Sequence, residues 1–345
     1  MYQKKLEFGN YTLNFGSKLV LLDLLEEIVL PSFKERKYKR VYADTEYFFI
    51  NTRIIKINRD NRLPIVGIHG KIVKNTKLKR EQIYKEGELI SNIKSLDSAP
   101  SSSFFLCLNN HRIILCKEMP GAPDLDSFKI SSEKFLKDSH KSFLENEYIS
   151  LKKITKNSSH QKIKTKKSLL IDYPLPNLRI TPLSDKVSLE SFVKNLDIID
   201  KLSIKLLKTN SEEIDNDDYW RSIDESRIAM GSSSAKVDYA SGKDGLNHDE
   251  VLRQTKSAVR LGNSDFKCSG TDKSGDKISG SNDDFKLSRE IDEIATDPYE
   301  AASQKYQQLE KLEKENVISL PKEDNKTKEK IIDFLERKKW MTQGI

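Results

Sequence analysis

Hydrophobic side chains at the start of the chain recur at every second position. From Leu6 to Phe15 they alternate with polar residues around Gly9-Asn10, which predicts a hairpin or one long bent strand. Leucine, isoleucine and valine then recur at helical spacing up to Pro31. A helix that ends at this proline is therefore predicted to follow the β element.

Segments rich in β-branched and aromatic residues come next. Residues 40–57 and 65–73 predict two or three antiparallel strands, whereas the mixed residues 74–95 predict a short helix or a loop. Residues 104–116 hold two apolar runs around an Asn-Asn pair, which is typical of a hairpin. An amphipathic helix is predicted over residues 131–148.

The domain organisation is predicted from changes in composition along the chain. Residues 1–150 predict an N-terminal α+β domain with a mixed antiparallel sheet and helices, and residues 151–168 predict a basic linker. The order β-α-β and then β-α-β-β over residues 169–290 predicts a ferredoxin-like domain of split βαβ units. Two charged helices separated by Pro321 predict a helical tail over residues 291–345.

Charge is distributed unevenly in this sequence. The chain has 60 lysines and arginines against 53 aspartates and glutamates, a net charge of +7. Residues 34–80 hold 14 basic and four acidic side chains, residues 152–167 hold seven lysines and no acid, and residues 212–225 hold seven acids and one arginine. A local basic field is what binding to a phosphate backbone requires, because Lys and Arg displace counterions condensed on nucleic acid.

The two basic stretches supply the candidates for nucleic-acid binding. We expect them to contact phosphates rather than base edges, which predicts sequence-independent binding to DNA with duplex favoured over single strands. The central strands of the second domain show no aromatic ladder on which bases could stack. Solvation of a lysine-rich surface explains the same charges without a ligand. The candidates are Lys34, Arg36, Lys37, Lys39, Arg40, Lys77, Lys79, Arg80, Lys162, Lys164, Lys166 and Lys167.

Catalytic, cofactor and metal signatures are absent from the sequence. It contains neither a glycine-rich phosphate loop nor a nucleophile elbow. Its five histidines form no pair at metal-ligand spacing, and its three cysteines show no C-x-x-C spacing. No stretch has the apolar length of a membrane span, and the N-terminus lacks the apolar run of a signal peptide. We therefore expect a cytoplasmic protein with no catalytic residue, cofactor or metal site.

One enzymatic alternative stays open, a Mg²⁺-dependent nuclease. Such chemistry needs acidic side chains around the metal ion and a lysine near the attacking water. Asp265 and Lys267, and likewise Asp284 and Lys286, are two residues apart and would share one face of a strand. Solvent-facing charges on a strand explain the same pattern without any activity.

Three segments together suggest a family. They are SFFLCLNNHRIILCKE, SLESFVKNLDIIDKLSIKLLKTN and FKCSGTDKSGDKISGSNDDFKLS. Their order resembles the layout of the RexA-type phage-exclusion proteins of lambdoid prophages and, more distantly, KwaB-like anti-phage proteins of bacteria, over about residues 40–290. The resemblance implies a cytosolic, dimeric, non-enzymatic DNA-binding protein that senses phage replication and often works with a membrane protein. It assigns no role to a numbered residue.

The hypothesis from the sequence is thus a bacterial or prophage protein of phage exclusion or abortive infection. It would bind DNA non-specifically through the backbone, form a homodimer, and act with a membrane-protein effector without entering the membrane itself. A second alternative is an adaptor that binds no nucleic acid and recruits a protein through its charged tail from Tyr299 onward.

Overall fold

The protein folds into two antiparallel sheets with helices packed on them, which confirms the predicted α+β class. The computed structural model describes residues 2–58, 63–156, 165–207, 218–242, 244–259, 262, 264–321 and 325–337. The strands are β1 (Lys4–Phe15), β2 (Leu19–Val20), β3 (Arg40–Tyr42), β4 (Thr45–Ile57), β5 (Ile65–Lys85), β6 (Glu88–Ser98), β7 (Ser101–Cys107), β8 (Arg112–Lys117), β9 (Pro176–Pro182), β10 (Leu196–Leu207), β11 (Ser234–Ala240), β12 (Ser264–Asp272), β13 (Lys277–Ser281) and β14 (Ser288–Ile291). The helices are α1 (Leu30–Ser32), α2 (Leu125–Lys156), α3 (Lys166–Asp172), α4 (Lys186–Asn195), α5 (Asp218–Ala229), α6 (His248–Val259), α7 (Pro298–Lys314) and α8 (Asn325–Arg337).

The first sheet has ten strands and is covered by helices on both faces. Its main path runs β14-β1-β8-β7-β5-β4-β3, while β2 and β9 also pair with β1, and β6 pairs with β5. Successive side chains of a strand point to opposite faces. Phe104 of β7 therefore packs below α2 against Phe128, whereas Phe105 packs below α7 against Tyr306.

Strand β1 is one long strand and not a hairpin, and its buried apolar side chains change face halfway along. Phe8 belongs to the core below α7, but Tyr11, an odd number of residues further on, belongs to the core below α2. The alternation is regular throughout, and the apolar residues change from even to odd positions around Gly9, where a Cβ atom would lie 3.0 Å from the Ile180 side chain and 3.1 Å from that of Ile113. Glycine therefore allows the two neighbouring strands to approach β1 closely at this position.

Several local predictions are confirmed. Strands β7 and β8 form the predicted hairpin, with the positive φ angle of its turn at His111 (53°). The predicted helix over 131–148 lies inside α2, and β12 and β13 form the predicted hairpin that turns over residues 273–276. The helix predicted to end at Pro31 begins at Leu21 as an irregular 3₁₀ and π segment and continues through α1.

The prediction of a helix or loop over residues 74–95 was wrong. The second half of β5 pairs with β6, from Thr76 opposite Ser98 to Lys85 opposite Glu88, and we call residues 76–98 the arm. Both its faces are exposed, and Ile93 has 82% of its surface accessible. Because neither face packs on a core, the sequence lacks the alternation that marks a half-buried strand.

The second sheet has the strand order β11-β10-β12-β13, and α4 and α6 pack on one of its faces. Along the chain its elements run β10-α5-β11-α6-β12-β13, which is not the β-α-β-β-α-β order of a ferredoxin-like domain. Strand β9, predicted to open the ferredoxin-like domain, pairs instead with β1 of the first sheet. The ferredoxin-like arrangement is therefore not confirmed. The sequence could not predict the pairing of β9 with β1, because strands about 170 residues apart leave no local signal.

Both helices of the C-terminal tail pack on this chain. Helix α7 places Ala302, Tyr306 and Leu309 in the core below the first sheet. Helix α8 packs Ile331 and Phe334 beside the irregular helical segment that follows β2. The tail is thus part of the folded unit around the first sheet.

Candidate nucleic-acid interfaces

The first group of predicted residues lies at one end of the first sheet. Strand register places Arg40 opposite Tyr47, and Tyr47 opposite Lys74, so β3, β4 and β5 bring residues 39–40 close to the base of the arm. Lys79 on the arm contacts Asp44 in the turn between β3 and β4 at 2.7 Å. The fold therefore brings together two basic segments that are 40 residues apart in sequence.

Carboxylates already neutralise part of the positive charge of this first group of residues. Lys39 contacts Glu46 at 3.1 Å, and both side chains are partly exposed. The Asp44 carboxylate raises the pKa of Lys79, and Lys79 in turn lowers the pKa of Asp44. Exposed pairs of this kind contribute little to stability, and a phosphate can compete for their lysines.

Other members of the group are unpaired or face elsewhere. Lys34, Arg36 and Lys77 are exposed, and the structure shows no ion pair for them within its described ranges. The Lys37 ammonium lies 5.0 Å from the centroid of the Tyr38 ring. Arg80 points to the face of the arm opposite Lys77 and Lys79, because side chains alternate along β5.

The second group of predicted residues begins helix α3, at the other end of α2. Lys166 contacts Glu145 at 2.6 Å and lies over the Tyr148 ring, while Lys167 is exposed. Along α2, Glu145 lies 14 residues beyond Ser131, the partner of Arg40, which is about 21 Å at the rise of a helix. Lys162 and Lys164 lie outside the described residues, so the predicted sites form two surfaces rather than one.

A third basic surface, which sequence reasoning missed, is the face of the second sheet opposite α4 and α6. Leu202 and Ile204 of β10 point into the core, so Lys201, Ser203 and Lys205 point outward. Register places the alternate residues of β11, β12 and β13 on the same outward face. We call it the open face; its side chains are Lys201, Ser203, Lys205, Lys236, Asp238, Ala240, Asp265, Lys267, Ser269, Thr271, Lys277, Ser279 and Ser281.

The open face carries five lysines and two aspartates among small hydroxyl side chains. Asp238 lies between Lys201 and Lys236, at 3.7 and 3.0 Å. Hydrogen bonds from Lys236 and Ser203 lower the pKa of Asp238 below its ordinary value of 3.8. The lysines of β11 and β13 are three strands apart, which is about 14 Å. The face is thus a positively charged platform without aromatic side chains.

Three lysines of the open face are free to bind an anion. Lys205, Lys267 and Lys277 are exposed and form no ion pair with any residue that the structure describes. The feature of the sequence that indicates this surface is the alternation of charged with aliphatic residues along β10. The sequence alone does not reveal this surface, however, because the strand pairing that gathers these lysines is not visible in it.

The residues of the nuclease alternative are divided between two places. Asp265 and Lys267 share the open face, as their spacing predicted. Asp284 lies in the turn after β13, where its carboxylate accepts hydrogen bonds from the Ser281 N–H and hydroxyl groups at 2.8 and 2.9 Å. Lys286 contacts Asp283 at 3.0 Å. Across the described ranges, no three His, Cys, Asp or Glu side chains are grouped so that they could hold a metal ion.

Comparisons with known proteins identify a family without a known function. Among curated proteins, none matches this sequence. No helix in the described part of the chain has the length and apolar character needed to cross a membrane. A family model described as a domain of unknown function, DUF4747, matches residues 134–331, from α2 to α8 and including the whole second sheet. Because the match covers more than half of the chain, the protein belongs to the DUF4747 family.

Proposed function

We propose that this protein binds nucleic acid through the phosphate backbone, with the open face of the second sheet as the main contact. The observation that carries the proposal is the set of three unpaired lysines, Lys205, Lys267 and Lys277, on one solvent-exposed sheet face. Lysine amines and serine hydroxyls are both common ligands of phosphate oxygens in nucleic-acid complexes.

The composition of the open face favours backbone contacts over base recognition. Single-strand platforms stack bases on exposed aromatic residues, and this face has none. Tyr239, the aromatic residue of β11, points to the core side with Val237. We therefore expect sequence-independent binding, with duplex DNA favoured because it presents two rows of phosphates to a broad charged surface.

The basic end of the first sheet is a second contact in this proposal. Lys34, Arg36 and Lys77 are its unpaired cations, and Lys79 becomes available if a phosphate replaces Asp44. The resemblance to phage-exclusion proteins extends the proposal to its biological role. In that role the DNA-bound protein, as a homodimer, signals phage replication to a membrane-protein effector.

Fluorescence anisotropy across a salt series tests the open face. We compare labelled duplex DNA, duplex RNA and single-stranded DNA with the wild type and with the triple variant K205Q/K267Q/K277Q. Each phosphate contact contributes about 0.9 to the slope of log affinity against log salt for duplex DNA. The triple variant should therefore lower the slope by about 3 and weaken binding to every duplex sequence equally.

A matched control removes the same charge elsewhere. Lys137 and Lys141 on α2 and Lys311 on α7 are exposed lysines, so K137Q/K141Q/K311Q should leave the slope close to wild type. Equal losses in both triple variants would show a general effect of net charge and overturn the open face as the contact. Absence of binding at low salt would overturn DNA binding itself and favour the protein adaptor.

A further inference from the structure

A buried group of polar side chains lies between α7 and the first sheet, away from both basic surfaces. Its centre is Lys305, which has none of its surface exposed to solvent. Its Nζ atom has no hydrogen-bond partner among the described residues. The neighbouring Tyr306 ring packs edge-on against Phe105, with ring centroids 6.4 Å apart, and so fixes this turn of α7 against the sheet.

The sheet presents four polar or reactive side chains to this region. Lys71 of β5 pairs with Ser103 of β7, and Ser103 pairs with Cys116 of β8, so these three side chains share one face. His69 lies two residues before Lys71 and points the same way. Cys116 belongs to the core formed with α7, which shows that the shared face is the one that α7 covers.

Hydrogen-bond acceptors are scarce in this group. Both ring nitrogens of His69 and the Ser103 hydroxyl have no hydrogen-bond partner among the described residues, and each side chain is at least 95% buried. The Glu118 carboxylate, which acts on Lys305 electrostatically, already accepts from Lys71 at 2.8 Å. Buried polar groups without partners are costly, so an arrangement of three neighbouring donors points to an acceptor that binds among them.

The charges that act on His69 are mainly positive, whereas Glu118 acts on Lys305. Burial, followed by the charges of Lys305, Lys71 and Arg53, lowers the pKa of His69 to about 3. Asp297 acts in the opposite direction on His69, but more weakly. Burial also lowers the pKa of Lys305 to about 8, so a substantial fraction of its amine is neutral near physiological pH.

We propose that Lys305 is a carboxylation site, at which its amine takes up carbon dioxide and becomes an N-carboxylate. The neutral amine attacks the carbon of CO₂, a new N–C bond forms, and one N–H bond breaks. The released proton passes to water by way of the Glu118 carboxylate at the rim. The reaction is reversible and needs no oxidant or reductant.

The N-carboxylate of Lys305 supplies the hydrogen-bond acceptor that the buried group lacks. Its two carboxylate oxygens accept hydrogen bonds from the Ser103 hydroxyl and from the His69 ring, and its negative charge faces Lys71. Carbon dioxide suits a site with no exposed surface, because a small uncharged molecule enters a packed region without shedding a tightly held hydration shell. A dissolved anion would have to lose its water to reach the same place.

Carbon-13 NMR of the full chain with labelled bicarbonate tests the proposal. Above the pKa of Lys305 we expect one carbamate resonance, close to one per chain, which disappears when the sample is acidified. Lys305→Met should abolish it. Lys311→Met, which removes an exposed lysine from the same helix, should retain it.

A second measurement covers the case in which Lys305→Met does not fold. In the wild type, the carbamate is trapped as an ester with a trialkyloxonium reagent and located by peptide mass mapping. A trapped group on Lys305 supports the proposal, whereas a trapped group only at the N-terminus or on surface lysines, or none, overturns it. Equal thermal stabilisation by bicarbonate, chloride and phosphate would also overturn it and identify a bound anion.

Discussion

The Arg40 guanidinium lies over the Tyr47 ring, with its central carbon 3.9 Å from the ring centroid, while its Nε donates a hydrogen bond of 3.0 Å to Ser131. This arrangement joins the edge of the first sheet to α2. Arg40 was predicted to bind phosphate, yet its contacts give it a structural role. Arg36, four residues earlier, is exposed and has no ion pair in the described structure.

The two arginines should therefore respond differently to substitution. We expect Arg40→Gln to lower the free energy of unfolding by about 1–2 kcal/mol, since it removes a cation–π contact and a hydrogen bond. Arg36→Gln should leave stability almost unchanged and weaken DNA binding. Urea denaturation and anisotropy measure the two effects, and an Arg40→Gln variant of normal stability with reduced affinity would contradict the assignment.

Asp238 should oppose binding at the open face. Its carboxylate forms ion pairs with Lys201 and Lys236, and it places a negative charge among the proposed phosphate contacts. We expect Asp238→Asn to raise affinity for duplex DNA and to steepen its salt dependence, because Lys201 and Lys236 are released. Asp249→Asn on α6 removes the same charge from the covered side of the sheet and is the control. Unchanged affinity in Asp238→Asn would show that DNA does not lie over this position.

The second sheet should become less stable in acid, because Glu190 loses its charge there. Hydrogen bonds from Lys194 and from Lys256 on α6 lower the pKa of Glu190 from its ordinary value of 4.5 to about 2. Because the folded state has the lower pKa, the contribution of this group is present above 4.5 and is lost as the pH falls towards 2.

The measurement is thermal or urea unfolding of the wild type and Glu190→Gln over this range. The wild type should be more stable at neutral pH, and the difference should vanish near pH 2. Glu293→Gln, an exposed glutamate near β14, is the charge-matched control. A constant difference at every pH would mean that the carboxylate charge is not the cause.

The arm should be dispensable for folding. Its large side chains, such as Tyr84 and Leu89, are mostly exposed, so they contribute little buried apolar surface. We expect replacement of residues 77–97 by a short Gly-Ser linker to change the free energy of unfolding by less than about 1 kcal/mol. Circular dichroism and thermal unfolding check the fold. Anisotropy then reports the contribution of Lys77, Lys79 and Arg80 to DNA binding.

Elements with a local signal were predictable from the sequence, and long-range pairings were not. The β7–β8 hairpin was predicted because its turn and both strands lie within residues 101–117. The arm was missed because exposure on both faces removes the alternation of apolar residues. The open face was missed for a third reason: each lysine looks like an ordinary surface charge until strand register aligns it with the others.

The many partners of β1 have a consequence for synthesis of the protein. Strand β1 is translated before its partners β8, β9 and β14, which follow it by about 110, 170 and 280 residues. One edge of β1 therefore cannot be completed until β14 has been made, about 280 residues later. Long-range pairing of this kind slows folding and leaves an unpaired strand available to wrong neighbours. The nascent chain should therefore depend on chaperones until β14 emerges.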